Sequence, residues 1–163
     1  MSARESVNTL VGSIEKSRVV LRKLHRYYKE FMLKELDQSK RKVSDAIVIA
    51  DIVSKYYACL ETVFLRISQF FENDLNERRW HQDLLEKMTF TIPDVREAVL
   101  SDAAFSLLLE LMKFRHFERY YFEIDHDWEK LEFVQKKLAQ VVPLVERDLD
   151  QFVAFLKRLN PER

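Results

Sequence analysis

Apolar residues recur along most of this chain at intervals of three, four and seven, the period of a helix that buries one stripe. The first stripe runs through Leu10, Ile14, Leu21, Leu24, Tyr28, Phe31 and Leu36 and predicts a helix capped at Ser2 and ending near Leu36. Gln38 to Lys42 is a polar connector. Ser44 then reads as the cap of a second helix, whose broader stripe of Ile47, Val48, Ile52, Tyr56, Cys59, Leu60, Val63, Phe64, Ile67 and Phe71 marks it as the most buried. Glu72 to Arg79 is a polar break, and a short helix is expected around Trp80 to Met88. Thr91-Ile92-Pro93-Asp94 reads as a turn with Pro93 at or near a helix start. Ser101-Asp102 is an N-cap signal for a helix over roughly Ala103 to Tyr121. Asp125 to Asp127 opens a last helix to about Leu159, which Pro143 is expected to bend or divide, and Asn160-Pro161 closes the chain. The expected fold is all-α: an up-and-down helical bundle of four to five long helices plus one short helix, as a single domain over 1–163.

Composition agrees with that pattern. One glycine, Gly12, and three prolines are too few for the tight turns a sheet requires. A chain with 47% hydrophobic and 33% charged residues supports a packed core. The formal net charge of +0 provides no global attraction for nucleic acid or membrane, yet lysine and arginine concentrate between Lys16 and Lys42 against only Glu30, Glu35 and Asp37. This run is either a local basic surface or a solvated helix face. The single cysteine, Cys59, lies in the apolar run Tyr56 to Leu60, where a buried, inert thiol is expected. No apolar run approaches the roughly 20 residues of a membrane span, and the first ten residues lack a signal-peptide core, so a cytoplasmic location is expected.

The segment richest in chemistry is Lys113-Phe114-Arg115-His116-Phe117-Glu118-Arg119-Tyr120-Tyr121. On a helix, Leu107, Leu111, Phe114, Phe117 and Tyr121 fall on an apolar arc, while Arg115 with Arg119 and His116 with Tyr120 stack one turn apart beside it. Two guanidiniums suit phosphate oxygens, and an imidazole moves protons near neutral pH. The alternative for the same residues is a set of surface ion pairs, Glu118 and Glu123 with Arg115 and Arg119. His25, His81, His116 and His126 have no metal-ligand spacing, no glycine-rich loop exists to cradle phosphate, and no nucleophile triad is visible, so no cofactor is expected. Trp80 and Trp128 read as packing anchors, and Tyr27-Tyr28 and Tyr56-Tyr57 each as a pair spanning a core face and a wetter one.

Arg115-His116, followed by aromatic and basic residues, resembles the signature of the HEPN superfamily: an Arg, then a polar residue, then a His four to six residues after the Arg. Leu60-Glu61-Thr62-Val63-Phe64-Leu65-Arg66-Ile67, Arg79-Trp80-His81-Gln82-Asp83-Leu84-Leu85 and Val99-Leu100-Ser101-Asp102 resemble the second helix, the short helix and the lead into the motif helix of its HepT-like branch. The resemblance extends from about Leu21 to Leu156. It implies a homodimer whose motif helices meet in one cleft, and metal-independent RNA cleavage by attack of the 2′-hydroxyl on its neighbouring phosphate. Arg115 would stabilise the phosphorane, with Arg119 and Lys113 binding phosphate. It also implies a toxin, neutralised by a cognate minimal nucleotidyltransferase that adds AMP to a tyrosine two positions beyond the motif His.

The chain departs from the family pattern in two places. Five positions after Arg115 stands Tyr120 instead of His, and the position of the modified tyrosine is Phe122. A free phenol titrates near 10, so His116 is the better proton acceptor beside Arg115 and Tyr120. A second register, Arg119 with His126, needs the helix to continue through Ile124-Asp125, which reads as a helix end. Tyr120 and Tyr121 are both candidates for AMPylation. Three functions are open: a toxin ribonuclease acting on cellular RNA, including tRNA; a catalytically silent HEPN module that binds a nucleotidyltransferase or RNA; or a plain helical scaffold unrelated to RNA.

Overall fold

The computed structural model describes residues 3–72, 80–122 and 124–160, with side chains from residue 6 onward. The expected cap at Ser2, most of the polar break up to Arg79, Glu123 and the closing Pro161 lie outside the described residues. Among the described residues, four long helices and one short helix form an all-α bundle: α1 (Ala3–Glu30), α2 (Val43–Phe71), α3 (Trp80–Lys87), α4 (Asp102–Tyr121) and α5 (Trp128–Leu159).

The long helices alternate in direction. Asn8 meets Asn160, Arg18 meets Glu146 and Tyr28 meets Gln135, so α1 and α5 are antiparallel. Ser101 at the start of α4 reaches Asp148 late in α5, which makes those two antiparallel as well. The connector between α1 and α2 is short, and its Arg41 pairs with Glu132 and covers the Trp128 ring at 4.4 Å. The up-and-down topology is thus present, and Trp128 serves as a packing anchor. α2 contacts each of the other helices, and its Ile49, Val53, Tyr57, Leu60, Phe64 and Ile67 are fully buried among residues from α1, α4 and α5.

Several expectations needed correction. α1 does not run regularly to Leu36: it passes into a π-helical turn, Phe31–Glu35, closed by the Leu36 N–H donating to the Phe31 carbonyl at 3.0 Å. The cap of α2 is Lys42, not Ser44, because the Asp45 carboxylate accepts from the Lys42 N–H at 2.9 Å and starts the helix earlier. Ile47 is exposed, whereas Tyr56 and Tyr57 are both buried instead of spanning a wet face. Pro93 starts no helix; it sits in a turn closed by pairing of Ile92 with Arg96, with Asp94 in the left-handed region. Pro143 does not divide α5, since it lies on the exposed face where the carbonyl it leaves without a partner remains open to water.

Other signals hold. Ser101 Oγ accepts from Ala104 N–H, and Asp127 Oδ1 accepts from Glu129 N–H, capping α4 and α5 where the sequence placed them. Cys59 is only half-buried, short of the burial expected, though burial still pushes its thiol up from the ordinary value. The basic run is neutralised only in part: Arg18 pairs with Glu15, Glu146 and Asp150, Arg22 with Glu146, and Arg41 with Glu132. No helix among the described residues is long and apolar enough to cross a membrane.

Candidate functional site

α4 positions the chemistry. Its buried seam is Ala104, Leu108 and Leu111, with Leu107, Phe114 and Phe117 half-buried at its edge. Tyr121 does not belong to the apolar arc; it is exposed and stacks on Phe117 at 4.9 Å. The helix stops at Phe122, which adopts the left-handed conformation, so the register joining Arg119 to His126 on one helix does not form. His126 instead folds back, its Nδ1 3.2 Å from Glu118, and lines a pocket of about 340 Å³ on the other side of α4.

Lys113, Arg115, His116, Arg119 and Tyr120 all line one pocket of about 270 Å³, together with Glu61 of α2, His81 of α3 and Met112. The structure therefore brings every nominated catalytic and phosphate-binding residue to one place. His116 and Tyr120 are in ring contact, 4.4 Å between centroids. Lys113 pairs loosely with Glu110 at 3.6 Å. Arg119 is exposed and has no ion-pair partner among the described residues. Of the alternative surface ion pairs, Glu118 goes to His126 and Arg115 goes to Glu61, while Glu123 lies outside the described residues.

The floor of the pocket was not anticipated. Glu61, 8% exposed, stretches between two helices: its Oε1 accepts from Arg115 Nη1 at 3.2 Å, and its Oε2 lies 2.8 Å from His81 Nδ1. A carboxylate this deep is costly unless both oxygens are engaged, and here each has a partner. One turn earlier on α2 stands Tyr57, buried, whose phenol is pushed up by burial and then by the Glu61 charge. Arg115 keeps 24% of its side chain exposed and His81 34%, so both remain accessible from the pocket. The Trp80 ring lies against His81, with centroids 3.6 Å apart. The sequence signal available for this cluster was a carboxylate on the core stripe of α2, between Leu60 and Val63, where an unpaired Glu is not tolerated.

Among the described residues, no three His, Cys, Asp or Glu side chains converge as metal ligands do. The positive groups of the pocket are of the kind that suits an anion. Arg119 and Lys113 flank the mouth, and Arg115 offers a guanidinium whose orientation is set from below by Glu61.

A model of the family described as HepT-like protein matches residues 48–156, more than half of the chain, from early α2 to late α5. α1 and its basic run fall outside the match. No curated protein and no solved structure matches the chain.

Proposed function

Since the chain belongs to the HepT-like family of the HEPN superfamily, we propose that it is a metal-independent endoribonuclease toxin that cleaves cellular RNA, tRNA included. The observation that carries this reading is the convergence of Arg115, Arg119, Lys113 and His116 on one pocket. A phosphodiester seated there meets Arg115, which stabilises the charge that builds on the phosphorane as the 2′-hydroxyl attacks. Arg119 and Lys113 hold flanking phosphates, and a pocket imidazole accepts the hydroxyl proton.

The homodimer implied by the family finds support at the end of α4. Tyr120, Tyr121, Phe122 and Ile124, at and just beyond the end of α4, are 63%, 68%, 82% and 62% exposed, apolar surface suited to cover by a second copy. Both candidate phenols for AMPylation, Tyr120 and Tyr121, are open to a nucleotidyltransferase. Tyr120 at the motif's His position favours the second reading, a silent module that only binds such a partner.

Expression of the wild type and of Arg115→Ala, with incubation of each purified protein with total tRNA in EDTA, decides between these. Removal of one positioned charge stabiliser lowers cleavage by about 10²–10³-fold, and growth arrest by the wild type is relieved in the variant. Equal growth and intact RNA for both proteins refute the ribonuclease, and copurification with a nucleotidyltransferase then identifies the binding module.

A further inference from the structure

His81 was not part of the motif, yet it is the imidazole that the fold orients. Its Nδ1 sits 2.8 Å from Glu61 Oε2, and it makes no other hydrogen bond among the described residues. A carboxylate at Nδ1 holds the ring proton there and leaves the Nε2 lone pair open, the arrangement by which buried carboxylates fix the tautomer of working histidines. His116, by contrast, touches the Tyr120 ring and has no hydrogen-bond partner among the described residues, so none of them fixes its tautomer.

We propose that His81 is the proton acceptor of this pocket and that Glu61 is the positioning residue for both His81 and Arg115, so that three helices supply one catalytic unit in place of the missing motif His. The inference rests on the ribonuclease reading above. In the reaction, Nε2 of neutral His81 takes the proton of the 2′-hydroxyl as that oxygen bonds to the adjacent phosphorus. The bond from phosphorus to the 5′ oxygen breaks, and the 5′ oxygen leaves with a proton from water. The products are a 2′,3′-cyclic phosphate and a 5′-hydroxyl end, and His81 returns its proton to solvent. Glu61 does not touch the substrate. It keeps the imidazole and the guanidinium at a fixed separation, which two flexible side chains on different helices would not maintain alone.

The test uses the full chain and total tRNA in EDTA. His81→Ala lowers cleavage by about 10²–10⁴-fold, the usual contribution of a general base, with its melting curve unchanged, and added imidazole restores part of the rate. Should His81→Ala fail to fold, His81→Gln, which keeps a donor for Glu61, replaces it. Glu61→Gln lowers cleavage by about 10–100-fold, as loss of an orienting carboxylate does, and imidazole does not rescue it. A His81→Ala protein that cleaves like wild type overturns the proposal, as does one that is folded, inactive and not rescued, because that outcome assigns His81 a structural role. Loss of activity with imidazole rescue in His116→Ala also overturns it. Absence of cleavage by the wild type itself refutes the ribonuclease reading, and this proposal with it.

Discussion

Replacing Arg96 with methionine probes the segment that joins α3 to α4 and so holds the two walls of the pocket together. The guanidinium is fully buried, at 0% side-chain exposure. It donates to Glu72 through Nε at 3.1 Å and again through Nη2, to the carbonyls of Lys87 and Phe90 at 2.9 Å, and to that of Glu97 at 3.2 Å. Arg96 therefore ties the end of α2, the end of α3 and the connector to one point. Methionine fills similar space but donates nothing, leaving three carbonyls and a carboxylate that is 12% exposed without these donors. Summing about 1–3 kcal/mol for each orphaned group overstates the loss, because the connector relaxes and water enters. The figure for breaking a buried ion pair by deleting one partner, about 3–5 kcal/mol, is the better bound. At roughly 2–4 °C per kcal/mol for a domain of this size, Arg96→Met lowers the melting temperature by about 6–20 °C. Circular-dichroism melting measures it, and Glu72→Leu added to Arg96→Met recovers part of the loss by removing the stranded carboxylate. A shift below about 2 °C for Arg96→Met refutes the reasoning, since it means the connector is held by packing alone.

Two further outcomes concern stability. Burial alone raises the Glu146 carboxyl, but hydrogen bonds from Arg22 and Arg18 outweigh it and hold the group below its ordinary value. Its contribution is therefore present above the ordinary carboxylate range, near 4.3, and is lost as pH falls through the lowered native value. Urea denaturation of wild type and Glu146→Gln shows a gap on the order of 1 kcal/mol at pH 7, discounted because the side chain is 31% exposed; the gap closes towards pH 3, and one that does not change with pH contradicts the assignment. Phe122, at φ 49 and 82% exposed, bears left-handed strain without packing in return. In the monomer, where no second copy covers the ring, Phe122→Gly raises stability by about 0.5–1 kcal/mol, read as a higher urea midpoint at a dilution that keeps the chain monomeric, and a lower midpoint there contradicts the strain argument.

Local signals were sufficient for the helices. The three-and-four spacing through Leu10, Ile14 and Leu21, the Ser101 and Asp127 caps, and the end of α4 at Tyr121 each depend on neighbours within a turn or two, so a linear reading recovers them. The α4 residues of the pocket were legible for the same reason: Arg115, His116, Arg119 and Tyr120 share one flank because of helical period alone. Burial on each face was less legible. Tyr57 and Ile47 lie on the same helix, yet one is buried and the other exposed, because the position of the neighbouring helices, and not the residue's own hydropathy, sets how wide the covered stripe is.

The amino-acid order by itself determined the all-α class, most helix boundaries, the family to which the chain belongs and the cationic flank of α4, since all of these are written in periodicity, caps and short motifs. Only the tertiary structure decided which groups that flank meets. Glu61 stands 20 positions from His81 and 54 from Arg115, and Arg96 lies 24 positions from Glu72. No period or cap connects such residues. Their encounter is fixed by how α2, α3 and α4 pack around a shared core, and a buried carboxylate is stable in that core because packing delivers a cation and an imidazole to its two oxygens.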